Sequence, residues 1–303
     1  MICIRIGTRG SALALAQADW VRQRLEEKYQ DVRVETVIVK TSGDRFTEAS
    51  VQAIPGKGIF TKEIEDALLG HEIDIAVHSV KDLPTELPQG LIIAATPKRE
   101  DPTDVLISRT GARLSDLPAG AKVGTGSLRR KAQILHYRSD LCVVPIRGNI
   151  DTRLRKLDQG EVDAIILAAA GLKRIGRENR IVEYISQDVC LSAAAQGALG
   201  LECRDDHPVR DRLLFLHDPG TFSEVAAERS FLRTLGGGCH VPVGARARVE
   251  AETLNLAGVV AHPDGSSLYR GETTGPASSA VELGQELAAR LLRQGADRIL
   301  ASA

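Results

Sequence analysis

Short apolar segments alternate with helix-like segments along the first two thirds of the chain, and this alternation limits the possible folds more than any other feature. Residues 2–6 and 32–39 have the pattern of strands, and residues 12–29 between them have the length of a helix. Further strand-like segments follow at residues 73–77 and 91–96. Strands separated by helices predict a mostly parallel sheet, and therefore an α/β fold.

The alternation of strand and helix starts again near residues 97–102, which predicts a second α/β lobe. In each lobe one strand passes into a helix through a similar turn. These turns are Gly7-Thr8-Arg9-Gly10-Ser11 and Gly124-Thr125-Gly126-Ser127, the second followed by Arg129 and Arg130. Free backbone N–H groups and the helix dipole attract anions to such a position. The sequence therefore predicts two lobes, each with an anion site at its strand ends, and a ligand cleft between them.

The last third of the chain has a different pattern. An amphipathic helix is predicted at residues 222–235 and is followed by Gly236-Gly237-Gly238-Cys239. Strand-like segments then appear at residues 245–249, 254–260 and 267–273. A helix at 278–293, capped by Gly295, is expected to close the chain. These elements predict a small α+β domain, joined near Asp218-Pro219-Gly220.

Composition and charge exclude several classes of protein. The formal net charge is −1, so any site for a polyanion must be a local concentration of basic residues. Aromatic residues make up 3% of the chain and offer few stacking platforms for nucleic acid. Neither a signal peptide nor a membrane span is apparent. The five cysteines are widely spaced and form no C-x-x-C pair, which predicts reduced thiols in a cytoplasmic protein and no metal site.

Three motifs allow both a functional and a purely structural interpretation. Gly124-Thr125-Gly126 begins like a dinucleotide fingerprint, but Arg129 stands where the third glycine belongs. Asp82 follows an apolar strand beside Lys81, where it has either a catalytic role or lies in a solvated turn. Cys239 is either a thiol exposed by its glycines, with a helix end or cations favouring the thiolate, or a small buried residue.

Six strings in one order give the chain a resemblance to a known family. They are Gly7-Thr8-Arg9-Gly10-Ser11-Ala12-Leu13-Ala14, Gly56-Lys57-Gly58-Ile59-Phe60-Thr61-Lys62-Glu63, His78-Ser79-Val80-Lys81-Asp82-Leu83-Pro84, Gly126-Ser127-Leu128-Arg129-Arg130, Arg147-Gly148-Asn149 and Gly237-Gly238-Cys239. In these strings, and over essentially its whole length, the chain resembles the porphobilinogen deaminases. One departure is Ala53, where many members carry a lysine.

The resemblance implies an enzyme that joins four porphobilinogen units head to tail, with loss of ammonia, into hydroxymethylbilane. It implies a dipyrromethane cofactor attached through a thioether to Cys239, and a catalytic role for Asp82. The positions that match cofactor contacts in the family are Ser79, Lys81, Asp82, Thr125, Ser127, Arg129, Arg130, Arg147 and Gly148. The positions that match substrate contacts are Arg9, Ser11, Phe60, Arg147, Arg153 and Arg174.

The resemblance also fixes the expected organisation of the chain. Residues 1–97 and 197–215 are expected to form the first lobe, 98–196 the second, and 219–303 the domain that carries Cys239. The lobes are expected to resemble periplasmic binding proteins. The expected partners are porphobilinogen and the growing oligopyrrole, with no nucleic acid and no membrane, and the protein is expected to be a monomer. Two other interpretations are a non-catalytic solute-binding or effector-sensing protein for a small polyanion, and an RNA-binding protein.

Overall fold

The computed structural model describes residues 1–42, 61–237 and 242–302, which group into two compact units. The first unit comprises Met1–Arg99 and Ala198–Thr221, and the second comprises Glu100–Gly197 and Phe222–Ala303. The chain therefore leaves the first unit, returns to it and leaves it again. In this division residues 222–303 belong with 100–197. The separation of a third domain at 219–303 stays a prediction.

The described residues contain the following helices and strands. The strands are β1 (Ile2–Thr8), β2 (Val32–Ile38), β3 (Ile75–Ser79), β4 (Leu91–Ala95), β5 (Asp104–Ser108), β6 (Lys122–Gly124), β7 (Cys142–Val144), β8 (Ala164–Ala168), β9 (Glu183–Tyr184), β10 (Leu199–Arg204), β11 (Val243–Glu250), β12 (Thr253–Ala261) and β13 (Leu268–Pro276). The α-helices are α1 (Ala12–Lys28), α2 (Lys62–Leu69), α3 (Leu128–Tyr137), α4 (Ile150–Asp158), α5 (Ala169–Arg174), α6 (Val209–Leu213), α7 (Pro219–Thr234), α8 (Ala280–Leu291) and α9 (Asp297–Ser302).

The first unit is built on a five-stranded sheet with the order β2-β1-β3-β10-β4. Strand β1 pairs in parallel with β2 and β3, whereas β10 runs antiparallel to both β3 and β4. Four of its five strands therefore point in the same direction. Helix α1 packs on this sheet by burying Val21 and Leu25 against Ile6 and Ile75.

The second unit repeats this arrangement in a sheet with the order β7-β6-β8-β5-β9. Strand β6 is parallel to β7 and β8, and β5 runs antiparallel to β8 and β9. Again four strands share one direction and one opposes them. The predicted α/β class with mostly parallel sheets is confirmed in both units. The opposing strands β5 and β10 were not among the predicted strands.

The C-terminal part of the second unit is an α+β layer, as predicted. Strands β11, β12 and β13 form an antiparallel sheet, and Phe231 and Leu287 from α7 and α8 are fully buried in its core. Close packing requires glycine at position 258, because a Cβ there would lie 2.5 Å from the Phe231 ring. The end predicted at Gly295 for the helix at 278–293 is confirmed, but the prediction that this helix closes the chain is wrong. Gly295 takes a positive φ of 114°, which kinks the chain, and the helix resumes as α9.

One buried carboxylate, Asp74, links the amino-terminal end of β3 to basic residues of the first unit. Asp74 is 5% exposed and accepts hydrogen bonds from the backbone N and the guanidinium of Arg5, at 2.8–3.2 Å. Arg204 and His207 lie 3.7 and 3.6 Å from the same carboxylate. Burial acts to raise the pKa of Asp74, but the hydrogen bonds from Arg5 outweigh it and lower that pKa.

We expect Asp74→Asn to reduce the free energy of unfolding at pH 7 by about 1–3 kcal/mol, since it removes a charged acceptor from a buried network. A lowered pKa gives stability that is present above the unfolded value of about 3.9 and is lost as the pH falls through the folded value. The difference between wild type and variant should therefore shrink as the pH falls from about 5 toward 3. Urea unfolding across this pH range measures the difference in the free energy of unfolding. A difference that does not change with pH would contradict the lowered pKa of Asp74.

Candidate active site

The carboxyl end of β1 is fixed to helix α1 by side chains of the connecting turn. The Thr8 hydroxyl donates to the Ala14 carbonyl at 3.1 Å, and the Ala14 N–H donates to the Ser11 hydroxyl at 3.3 Å. Ser11 is thus the N-cap of α1, as its sequence position predicts. Arg9 lies between these two contacts and is half-buried. The turn therefore carries an arginine next to the positive end of a helix, which is a favourable place for an anion.

Strand β3 ends at the same edge of the sheet as β1, because the two strands are parallel neighbours. The Gln17 side chain of α1 donates to the Ser79 hydroxyl at 3.1 Å, which joins this helix to the end of β3. A single 3-10 turn, Val80–Asp82, follows β3 directly. Lys81 is half-buried in this turn. Arg9, Ser11, Ser79, Lys81 and Asp82 are therefore brought to one edge of the first unit.

Asp82 is exposed at this edge, and its carboxylate has no hydrogen bond or ion pair with any other residue that the structure describes. The turn that carries it is closed by the Leu83 N–H, which donates to the Val80 carbonyl at 3.1 Å. Pro84 follows and restricts the backbone further. The carboxylate is therefore held on a short, defined turn and remains available to accept hydrogen bonds from a ligand.

A buried pair lies directly behind this turn and was not recognised in the sequence. His78 Nε2 is 2.8 Å from Glu202 Oε2, and the two side chains are 6% and 0% exposed. Register places His78 opposite Gly200 on β10, so the pair fastens β3 to the strand that returns late in the chain. The His-Ser-Val-Lys-Asp motif thus combines an anchor inside the sheet with polar groups outside it.

The corresponding turn of the second unit places Thr125 and Ser127 at the start of α3. Thr125 is 4% exposed, and its hydroxyl accepts from the Ser127 N–H at 3.2 Å. The Ser127 hydroxyl caps α3 by accepting from the Arg130 N–H at 3.4 Å. As in the first unit, hydroxyl groups shape the passage from a strand to a helix. The prediction of a capped strand-to-helix turn is confirmed here.

Both arginines of this turn are buried and bind one carboxylate, Asp104, at the start of β5. Arg129 Nη1 donates to Asp104 Oδ2 and to the Leu191 carbonyl, both at 2.6 Å. Arg130 donates to Asp104 Oδ1 from Nε and Nη2, at 2.9 and 2.6 Å, and from Nη1 to the Ile166 carbonyl at 3.0 Å. Arg129 and Arg130 are 5% and 6% exposed, and Asp104 is 0% exposed. Two cations therefore share one fully buried anion.

Two further side chains complete the surroundings of Asp104. Gln196 Nε2 donates to Asp104 Oδ1 at 2.8 Å and to the Pro102 carbonyl at 2.6 Å. Burial acts to raise the pKa of Asp104, but the two guanidinium groups outweigh it and hold that pKa well below its usual range. Burial and the Asp104 charge raise the pKa of the neighbouring Cys190 thiol to about 12. Asp104 is therefore ionised and Cys190 is an unreactive thiol at neutral pH.

Two other predicted contact residues, Arg147 and Gly148, lie between β7 and α4, and a third, Arg153, lies in α4. Gly148 takes a φ of 107°, and a Cβ there would lie 2.6 Å from Thr152, so only glycine fits. Its carbonyl accepts from Arg153 Nε at 2.8 Å. Arg147 is half-buried, and its guanidinium has no hydrogen bond or ion pair within the described ranges of the chain. The donors of this guanidinium are therefore available to a ligand.

Arg174, at the end of α5, is tied to the segment where the chain leaves the second unit. Its Nη2 donates to the Gly197 carbonyl at 2.7 Å, and the Glu100 N–H donates to the same carbonyl at 3.2 Å. Burial lowers the pKa of Arg174 to about 10, so the side chain stays charged at neutral pH. Gly197 has a φ of 86°, and a Cβ there would lie 2.3 Å from the Glu100 carbonyl oxygen.

Phe60 and Cys239 lie outside the described residues, so their predicted roles stay predictions. The chain is described as far as Gly237, two residues before Cys239. Helix α7 ends with the Gly237 N–H donating to the Leu232 carbonyl at 2.9 Å and the Gly236 N–H donating to the Arg233 carbonyl at 3.0 Å, which is a Schellman motif. The helix end that precedes Cys239 is thus a carboxyl end, whose dipole disfavours a thiolate.

The described residues form two groups of polar side chains, one in each unit. The first has an available carboxylate, Asp82, with Lys81 and Arg9 on the same sheet edge. The second is rich in guanidinium groups at strand ends and helix starts. No group of His, Cys, Asp and Glu side chains suitable for a metal occurs among the described residues, and none of their helices is long and apolar enough to cross a bilayer. These donor sets suit an organic ligand with several carboxylates and N–H groups.

The solved structures that align with this chain include several binding proteins. The methionine-binding protein MetQ aligns with 75% of this chain and 94% of its own at 13% identity, with a TM-score of 0.44. A putative methionine-binding lipoprotein from Bacillus subtilis aligns with 71% of this chain and 89% of its own at 14% identity, with a TM-score of 0.42. Similarity at this level does not bear on function.

Curated sequences and family models agree on a different activity. Relatives called porphobilinogen deaminase are 51% identical in Syntrophobacter fumaroxidans and 53% identical in Desulforudis audaxviator, each over 98% of this chain and 96% of the relative. Residues 4–211 match the model "Porphobilinogen deaminase, dipyromethane cofactor binding domain". Residues 222–293 match the model "Porphobilinogen deaminase, C-terminal domain". This chain belongs to the porphobilinogen deaminase family.

Proposed function

We propose that this chain is a transferase that converts four porphobilinogen molecules and one water into one hydroxymethylbilane and four ammonia. The observation that carries the proposal is the Asp82 carboxylate, which is unpaired among described residues on a rigid turn at the sheet edge. It stands in a chain that matches porphobilinogen deaminases over nearly its full length. Incubating the pure protein with porphobilinogen and measuring ammonia and tetrapyrrole tests the activity. A ratio other than four to one, or no product, would contradict it.

The donor set of the described residues fits a dipyrromethane cofactor. When bound, this group supplies the pyrrole carbon to which the first substrate unit is joined. Each of its pyrrole rings carries an acetate and a propionate, so it brings several negative charges and two N–H donors. The second unit offers guanidinium groups and helix N-termini for the carboxylates, and Asp82 offers an acceptor for pyrrole N–H groups.

Asp82 acts on the charge that develops during the reaction. Loss of ammonia from porphobilinogen leaves positive charge on its pyrrole ring, and coupling to the next ring passes through a cationic species as well. A fixed carboxylate beside the ring N–H stabilises these species more than the neutral pyrrole, which is the condition for raising the rate. The short turn between β3 and Pro84 keeps this carboxylate in place, so little reorganisation is needed.

The arginines and hydroxyl groups hold the carboxylates of cofactor and substrate. We assign the cofactor to Cys239, Ser79, Lys81, Thr125, Ser127, Arg129, Arg130, Arg147 and Gly148, and the growing chain to Arg9, Ser11, Phe60, Arg147, Arg153 and Arg174. Guanidinium groups bind carboxylates in a bidentate fork, which fixes orientation as well as charge. We propose that residues 1–97 with 197–215 form one lobe and residues 98–196 the other, and that residues 219–303 form the domain that supplies Cys239.

The remaining parts of the proposal concern the cell and the assembly. The four described cysteines are all free, which supports a reducing cytoplasmic compartment. We assign the protein to the cytoplasm and to a monomeric state, with porphobilinogen and the growing oligopyrrole as its partners. Cell fractionation and analytical ultracentrifugation test these two assignments separately from the activity.

We expect Arg129→Leu and Arg130→Leu each to weaken retention of the cofactor. Each change removes charge-assisted hydrogen bonds, so a loss of about 1.5–3 kcal/mol, roughly ten- to a hundredfold in affinity, is expected. Intact mass gives the fraction of protein that carries the cofactor. Steady-state kinetics gives the dependence of the rate on porphobilinogen concentration. Arg177→Leu is the matched control, since Arg177 is an exposed arginine of the same unit. Full cofactor content and unchanged kinetics in both variants would show that these arginines do not bind it.

A further inference from the structure

The buried carboxylate of Asp104 is not explained by the reaction itself. It is 0% exposed, so no substrate or cofactor atom can reach it without a rearrangement of the unit. Yet it binds both arginines that the proposed function assigns to the cofactor, with three short ion-pair contacts at 2.6–2.9 Å. A charge that is costly to bury, placed at the back of two ligand-binding cations, requires a reason.

The flexibility of the two arginine side chains gives this reason. An arginine side chain has many rotamers, and two adjacent guanidinium groups repel each other unless an anion separates them. Asp104 is bonded to Arg129 through Oδ2 and to Arg130 through Oδ1, so each guanidinium has its own carboxylate oxygen. One carboxylate therefore fixes the positions of both cations, and the pair keeps a net positive charge for the ligand.

Neighbouring groups in turn fix the position of Asp104. Its backbone begins β5, where it is paired with Ala168 of β8. Its Oδ1 also accepts from Gln196 Nε2 at 2.8 Å, and the same amide nitrogen donates to the Pro102 carbonyl at 2.6 Å. Gln196 Oε1 in turn accepts from Arg130 Nη2 at 3.5 Å. The arginines are therefore held by a carboxylate that is itself held by a strand and a side-chain amide.

We infer that Asp104 is a positioning residue for the carboxylate-binding site: it orients Arg129 and Arg130 from behind and touches neither substrate nor cofactor. This inference rests on the proposed function, because it takes the ligand of the two arginines to be a polypyrrole carboxylate. Gln196 also contributes to this positioning, because its side-chain amide holds Asp104. The contribution of Asp104 is thus to affinity and to cofactor retention, whereas Asp82 acts on the rate of the chemical step.

The decisive variant is Asp104→Asn, which keeps the shape and removes the charge. We expect the cofactor-loaded fraction to fall, and assembly and retention of the cofactor to weaken by about ten- to a hundredfold, as for loss of a charge-assisted contact. The kcat of the cofactor-loaded molecules should stay within about threefold of wild type, since Asp82 is untouched. A variant that is folded by circular dichroism, with full cofactor content and wild-type concentration dependence, overturns the inference.

Two further variants keep the test decisive if Asp104→Asn does not fold. Gln196→Met removes the amide that holds Asp104 but leaves both ion pairs, so assembly and retention of the cofactor should weaken by a smaller factor, about three- to tenfold. No change in this variant contradicts the inference. Cys190→Ala is the control, because its Sγ lies 3.4 Å from Asp104 Oδ2 yet carries no charge. An effect of Cys190→Ala as large as that of Asp104→Asn would indicate general packing and overturn the positioning role.

The same assay separates failure of this inference from failure of the proposed function. Wild-type protein is measured beside every variant. Absence of tetrapyrrole from the wild type contradicts the function, whereas an active wild type with indistinguishable variants contradicts only the role of Asp104.

Discussion

Asp82→Asn, loaded with cofactor, is expected to form tetrapyrrole at least about a hundredfold more slowly than wild type. The change removes one fixed charge and keeps the shape, and loss of a single preorganised electrostatic group typically lowers kcat by roughly 10²–10³. Stability should hardly change, because Asp82 is exposed and has no ion pair among the described residues. Single-turnover tetrapyrrole formation is the measurement, made after intact mass has shown that the cofactor is present.

Two companion variants define what this result means. Asp82→Glu keeps the charge but displaces it by one methylene, so it should retain more activity than Asp82→Asn. Asp66→Asn changes an exposed carboxylate on α2 of the same unit and should behave as wild type. If cofactor-loaded Asp82→Asn turns over like the wild type, the catalytic role belongs to another residue.

Cys239→Ser is expected to abolish activity altogether, because a serine hydroxyl cannot form the thioether that we propose for the cofactor. Intact mass of the wild type should exceed the sequence mass by two linked pyrrole units, and the variant should show the sequence mass alone. The carboxyl end of α7 precedes this cysteine and disfavours a thiolate, so attachment should depend on the cationic residues assigned to the cofactor. Loss of those cations should therefore also slow attachment.

The matched control for this experiment is Cys142→Ser, which changes an exposed cysteine of the second unit. It should keep both the additional mass and the activity. An unmodified wild-type chain with full activity would contradict the proposal of a covalent cofactor. An additional mass that persists in Cys239→Ser would show that the cofactor is attached to another residue.

Local patterns in the sequence were sufficient to predict most helices and strands. The caps formed by Ser11, Ser127 and Asn149 mark the starts of α1, α3 and α4, because each side chain bonds only to the next turn of its own helix. The three strands of the C-terminal sheet have strong period-two patterns and are consecutive in the chain. Strand β10 lacks such a local signal, since it is buried on both faces and its partners, β3 and β4, lie more than a hundred residues earlier.

The site was only partly predictable for the same reason. Asp82 and the arginines stand in short motifs, so their positions at strand ends could be inferred from the sequence. Asp104 is separated from Arg129 by 25 residues and from Gln196 by 92, and nothing in the sequence connects them. The signal that could have identified it is an aspartate at the start of the apolar strand Asp104–Ser108, since a charge there has to be paired.

The late return of β10 has a consequence for the order in which the molecule forms on the ribosome. Among the described strands, β4 pairs with β10 alone, so the first sheet cannot close until residue 204 has been synthesised. The five strands of the second sheet are complete at Tyr184. Vectorial synthesis therefore lets the inserted unit assemble its sheet before the unit that it interrupts. A nascent chain stalled between these two points would present the open edges of β3 and β4, where other chains and chaperones can bind.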